Sequence, residues 1–109
     1  MAKQIKFTYD GVDYTLEFTR ATIQQMENEG LVIDDVDRKP MTMIPKLFAG
    51  AFREHHRFTK QETISAIYDA MPNKEKLLKT LGEMYNEPML SLMDEPEKSS
   101  KNVNWEVDG

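Results

Sequence analysis

Residues 5–19 read Ile5-Lys6-Phe7-Thr8-Tyr9-Asp10-Gly11-Val12-Asp13-Tyr14-Thr15-Leu16-Glu17-Phe18-Thr19. Ile5 to Tyr9 alternates apolar and polar with period two, the pattern of a half-buried strand. Asp10-Gly11 is a hairpin turn signal, because glycine tolerates positive φ. Val12 to Phe18 then alternates again. One strand offers Ile5, Phe7 and Tyr9, and the returning strand offers Val12, Tyr14, Leu16 and Phe18. A lone two-stranded hairpin is marginal in water, so this apolar face must pack on helices or on another subunit's sheet.

Working outward, Thr19 suits the N-cap of a first helix at about 20–29, with Ile23 and Met26 facing inward. Gly30 supplies a left-handed stop, and Leu31 falls where a Schellman cap packs back onto Met26. Leu31-Val32-Ile33 leads into an acidic loop, Asp34-Asp35-Val36-Asp37, which ends near Pro40. A second helix is expected at about 43–57. Its stripe is Ile44, Leu47, Phe48, Ala51 and Phe52, with Pro45 tolerated in the first turn. Thr59-Lys60-Gln61-Glu62 spells a capping box for a third helix at about 60–71, with Ile64, Ile67, Tyr68 and Met71 on one face. Pro72 ends it. Asn73 is placed to cap a fourth helix at about 74–93, with Leu77, Leu78, Leu81, Tyr85, Met89 and Leu92 in line. Pro88 predicts a kink or break near Asn86. The expected fold is mainly α: an N-terminal β-hairpin followed by a compact four-helix bundle, one domain over 1–94, and a flexible C-terminal tail.

That tail, 95–109, is rich in Pro, Glu, Ser, Lys and Asn and has little apolar surface with which to fold. Yet it carries the only tryptophan, in Asn102-Val103-Asn104-Trp105-Glu106-Val107. Trp105 is either an anchor for another surface or a residue that folds back onto its own domain. Met89, Leu90, Leu92 and Met93 crowd several directions of a short stretch after Pro88. They offer more apolar surface than one stripe can bury, which suits a dimer contact or a client groove. These four residues and Trp105 are the candidate partner-binding residues.

The chain has 109 residues and a formal net charge of −5. A core of this size supports a stability on the order of 5–10 kcal/mol. An acidic chain is not drawn to nucleic acid or an anionic membrane by bulk electrostatics. The most basic stretch, Arg53 to Lys60, is interrupted by Glu54. With no cysteine there are no disulfides and no thiolate metal sites, which fits a reducing cytoplasm. The N-terminus lacks the apolar run of a signal peptide, and no window approaches the roughly 20 apolar residues of a membrane span.

Chemistry-bearing patterns fail on spacing. Adjacent His55 and His56 would diverge on a helix and share no metal, so they read as polar residues of a last turn, where a cation complements the helix dipole. Counting from Asp35, the sixth position of a calcium loop falls on Pro40, where glycine is needed. There is no nucleophile elbow, no phosphate-cradling loop and no His-Glu-x-x-His. The expectation is no catalytic residue, no cofactor and no metal.

The layout nevertheless resembles a known family. The hairpin ends Tyr14-Thr15-Leu16-Glu17-Phe18-Thr19, and the first helix closes Met26-Glu27-Asn28-Glu29-Gly30. Pro45-Lys46-Leu47-Phe48-Ala49-Gly50-Ala51-Phe52 and Thr59-Lys60-Gln61-Glu62 follow, and a polar tail holds Asn104-Trp105. Together, over nearly the whole chain, these are similar to the small tail assembly chaperones of long-tailed bacteriophages and prophages of Gram-positive hosts. The resemblance implies a non-virion protein of the bacterial host cytoplasm. It would keep the tape measure protein soluble and recruit tail tube protein around it. Many such chaperones also have a longer form made by ribosomal frameshifting. Two other roles stand beside this one. The chain would be a head–tail connector or minor virion component, ringed through its hairpin edge, or a small acidic regulator that binds a host protein.

Overall fold

The structure, a computed structural model, describes residues 3–94 and 103–107. An antiparallel hairpin of β1 (Ile5–Tyr9) and β2 (Val12–Leu16) leads into four helices: α1 (Arg20–Asn28), α2 (Pro40–Gly50), α3 (Gln61–Ala70) and α4 (Lys74–Leu92). A single 3-10 turn, Ile33–Asp35, sits between α1 and α2. The tail expected at 95–109 lies outside the described residues, except for 103–107, which carry no regular secondary structure.

Local chemistry explains the first third of the chain. Asp10 and Gly11 take φ of 51° and 77°, the paired positive values of a two-residue hairpin turn. The register sets Ile5 opposite Leu16, Phe7 opposite Tyr14 and Tyr9 opposite Val12. Tyr14, Leu16 and Phe18 are buried, while Val12 beside the turn is half exposed. Thr19 and Thr22 form a reciprocal cap: Thr22 N–H donates to Thr19 Oγ1 at 3.2 Å and Thr19 N–H to Thr22 Oγ1 at 2.9 Å. At the other end of α1 Gly30 has φ +100°. Gly30 N–H donates to the Glu27 carbonyl at 3.1 Å and Leu31 N–H to the Met26 carbonyl at 3.0 Å, a complete Schellman closure.

Four sequence expectations are corrected. First, α2 covers 40–50 rather than 43–57. Pro40 takes the first-turn position, and Pro45 lies inside the helix. Past Gly50 the chain tightens, with Phe52 N–H donating to the Ala49 carbonyl at 3.1 Å and Arg53 N–H to the Gly50 carbonyl at 3.2 Å, and the Ala51 carbonyl turns to the hairpin, where it accepts the Glu17 N–H at 3.0 Å. Second, the capping box at Thr59 does not form. Lys60 is the N-cap without a side-chain bond, and Thr59 N–H is held by the His56 carbonyl at 3.1 Å, one residue outside the helix. Third, Asn73 takes φ +55° and makes no side-chain cap. Lys74 joins the helices instead: its Nζ donates to the Met71 carbonyl at 2.9 Å and sits 5.1 Å from the Tyr68 ring centre. Fourth, the kink or break expected near Asn86 is not a break, since α4 runs through Pro88. It is tied on both sides of the proline: Lys3 N–H donates to Glu87 Oε2 at 2.7 Å, and Arg20 Nη2 donates to Ser91 Oγ at 3.2 Å.

One hydrophobic core draws on β2 and all four helices. Phe48 meets Tyr68 and Phe52 edge to face, each at 5.2 Å between ring centres, and Phe18 meets Tyr85 at 5.5 Å. Two helical glycines make opposite tests of this packing. A Cβ on Gly50 would come within 2.4 Å of the buried Met26 sulfur, whereas one on Gly82 meets nothing within 4 Å. Gly50→Ala is expected to lower stability by about 1–3 kcal/mol through overpacking. Gly82→Ala is expected to raise it by about 0.5–1 kcal/mol through helix propensity. Urea midpoints for the pair check both signs.

Candidate functional site

The two histidines leave the helix and serve the hairpin, so the last-turn role expected for them is corrected. Past the end of α2, His56 Nε2 accepts the Thr15 N–H at 2.9 Å, and its ring packs on Tyr14 at 4.9 Å and Phe52 at 6.4 Å. His55 Nε2 lies 2.7 Å from Glu17 Oε1, to which Gln4 Nε2 also donates at 2.9 Å. The two rings thus hold different partners, with centres 6.4 Å apart. Among the described residues no cluster of three or more His, Asp or Glu could hold a metal ion.

Burial, and then the charge of His55, hold the His56 imidazole below its ordinary value of 6.5. The hydrogen bond from His55, with help from Gln4 against a burial penalty, holds the Glu17 carboxyl below 4.5. For a base with a depressed folded value, stability is complete above about pH 6.5 and is lost as pH falls through the lower folded value. Glu17 adds a loss of the same sign further into acid. The urea midpoint is expected to fall between about pH 7.5 and about pH 5. His56→Phe keeps the aromatic packing but removes the acceptor. It should flatten that fall and cost about 1 kcal/mol at neutral pH. An equally steep pH profile in the variant would refute the assignment.

The end of α4 carries a run of exposed apolar residues. Leu90, Leu92 and Met93 are 68%, 65% and 81% exposed, and Met89 is 42% exposed. Helical spacing sorts them. Met89, Leu92 and Met93 line one shallow groove with Ile23 of α1, rimmed by Arg20 and Glu27. Leu90 turns to a second groove, beside Phe18, Arg20 and Asp94. Trp105, in the 103–107 segment, is 79% exposed. The structure therefore gathers three of the five candidates, puts the fourth round the helix, and leaves Trp105 uncovered.

Sequence reasoning missed a second apolar surface. Between α2 and α3, Met41, Ile44, Phe48 and Tyr68 line a cleft. Met41, at the second position of α2, is 90% exposed, and Phe58 in the following loop is 93% exposed. Helix register hid Met41, because a helix starting at 43 leaves it in a loop. Phe58 was visible as a lone aromatic between Arg57 and Thr59 in a stretch without periodicity. A polar contact rims a third groove: Arg53 forms a two-pronged pair with Glu29, one prong at 3.0 Å, and Lys46 Nζ reaches the Glu29 carbonyl at 3.5 Å. Those Arg53 hydrogen bonds hold the Glu29 carboxyl below its ordinary value. No helix among the described residues is long and apolar enough to cross a membrane.

A family model described as "Domain of unknown function (DUF5055)" matches residues 1–108. No curated protein and no solved structure matches the chain.

Proposed function

The chain belongs to the DUF5055 family, and we propose that it is a non-catalytic tail assembly chaperone of a long-tailed bacteriophage or prophage. It works in the bacterial host cytoplasm, holds the tape measure protein in solution and promotes assembly of the tail tube protein around it. The observation that carries this reading is the exposure of Leu90, Leu92 and Met93 in the last turns of α4. A holdase must keep apolar area free for a client, on a body whose own core is already complete. Unbranched methionines at 41, 89 and 93 adapt to irregular apolar partners. Glu27, Glu87 and Asp94 around the α4 end favour a client helix that flanks its apolar stripe with lysine or arginine. Many weak contacts along one long client add up by multivalency.

Co-expression with the tape measure protein tests the reading. The client is expected to move from pellet to supernatant and to co-purify with the chain. A client that stays in the pellet beside a folded, abundant chain, or the chain itself recovered in purified particles, overturns it.

A further inference from the structure

The hairpin has one edge held at two points and one open edge. Thr15 on β2 and Glu17 just past its end turn their N–H groups away from β1, and both are taken, by His56 Nε2 at 2.9 Å and the Ala51 carbonyl at 3.0 Å. Given the register, the same alternation turns the N–H and C=O groups of Lys6 and Thr8 outward on β1. Among the described residues no strand covers them. Along this edge Ile5, Phe7 and Tyr9 are half buried on the core face, while Lys6 and Thr8 are exposed on the other. Lys6 stands opposite Thr15 and makes no ion pair among the described residues.

A second stretch with period two, Val103-Asn104-Trp105-Glu106-Val107, lies outside any element. Its apolar residues are 81%, 79% and 84% exposed. We propose that residues 103–107 form a third strand, antiparallel to the open edge of β1, with Trp105 opposite Phe7 and Glu106 opposite Lys6.

In this register Val103, Trp105 and Val107 join the Tyr9, Phe7 and Ile5 face and extend the core. Glu106 meets the lone lysine, and Asn104 meets Thr8. The outward backbone groups of Lys6 and Thr8 close onto Glu106 and Asn104. Trp105 and Phe7 form the non-hydrogen-bonded pair, where side chains approach most closely. A slip of one residue would put all three apolar side chains into water. A parallel strand with the same faces would set Asn104, not Glu106, against Lys6. The reach suffices within one molecule. The Lys3–Glu87 bond fixes the start of β1 beside α4, whose last residue is Leu92. Residues 93–102 can extend about 33 Å, and the five-residue β1 spans about 17 Å. The proposal stands apart from the chaperone reading, since it concerns the chain with no client bound.

Trp105 is the sole tryptophan, so its fluorescence reads the docking directly. The full chain is expected to emit to the blue of a free peptide of residues 101–109 and to resist acrylamide quenching several-fold better. Glu106→Pro removes an N–H that faces β1 and cannot unfold the body. It should return both readings to those of the peptide. Lys6→Glu should shift emission to the red, and adding Glu106→Lys should restore it. Peptide-like emission from the unaltered chain overturns the proposal, as does indifference to Glu106→Pro. A blue shift that fades on dilution also overturns it, by assigning the strand to a second copy.

Discussion

Phe52→Ala is expected to cost about 3–5 kcal/mol, a large share of a total on the order of 5–10 kcal/mol. Phe52 is 1% exposed and stands where three parts of the chain meet. Its ring centre lies 5.8 Å from Tyr14 of the hairpin, 5.2 Å from Phe48 of α2 and 6.4 Å from His56 of the connecting loop. Each neighbour is held from its far side: Tyr14 stacks on Phe7 at 5.4 Å, Phe48 meets Tyr68, and His56 accepts Thr15 N–H. They cannot collapse into the space, so the cavity persists and the cost falls in the upper part of the range. The melting midpoint should drop by on the order of 20 °C. Phe58→Ala, at a residue 93% exposed, should change stability by less than about 0.5 kcal/mol. A Phe52→Ala cost below about 1 kcal/mol would mean that this junction is not packed as described.

The second large effect concerns binding. The triple change Leu90→Gln, Leu92→Gln and Met93→Gln is expected to weaken client binding by about 2–4 kcal/mol, roughly 30- to 1,000-fold in Kd. The client should return to the pellet on co-expression. Glutamine is chosen because it propagates a helix well, while aspartate in the last turn would oppose the helix dipole and confuse folding with binding. All three residues are exposed, so the melting midpoint should hardly move. Met41→Gln is the companion variant, at the mouth of the cleft between α2 and α3. Loss of solubilisation with Met41→Gln, and none with the triple variant, would move the client surface to that cleft.

What could be read from the sequence follows the range of the forces involved. The Asp10-Gly11 turn, the Thr19 cap and the Gly30 stop depend on residues a few positions apart, and all three stand in the structure. The buried positions Ile64, Ile67, Leu77, Leu81 and Tyr85 also follow from period alone. Two of the errors were local, at Thr59 and Asn73, and the others lie where distant parts of the chain meet. Glu17, far back in the hairpin, binds the Ala51 carbonyl where α2 has just ended. Lys3 and Arg20 brace α4 on either side of Pro88, where local rules predict a break. The His56 clamp on Thr15 joins residues that no periodicity links. Among the candidate site residues, excess apolar character after Pro88 was visible in one dimension. That Leu90 faces a different groove from Met89, Leu92 and Met93 depends on the helix continuing unbroken, which the proline hid.

The imidazole that stoppers one margin of the hairpin limits how copies of this chain can associate. Fibrillar growth through strands needs two free margins on every unit, one to receive and one to offer. Here the bonds on Thr15 and Glu17 leave room for a pair joined at a single seam and no further. Copies can then crowd without seeding a fibre, and acidification that protonates the imidazole would free the Thr15 N–H while the Ala51 carbonyl still holds that of Glu17.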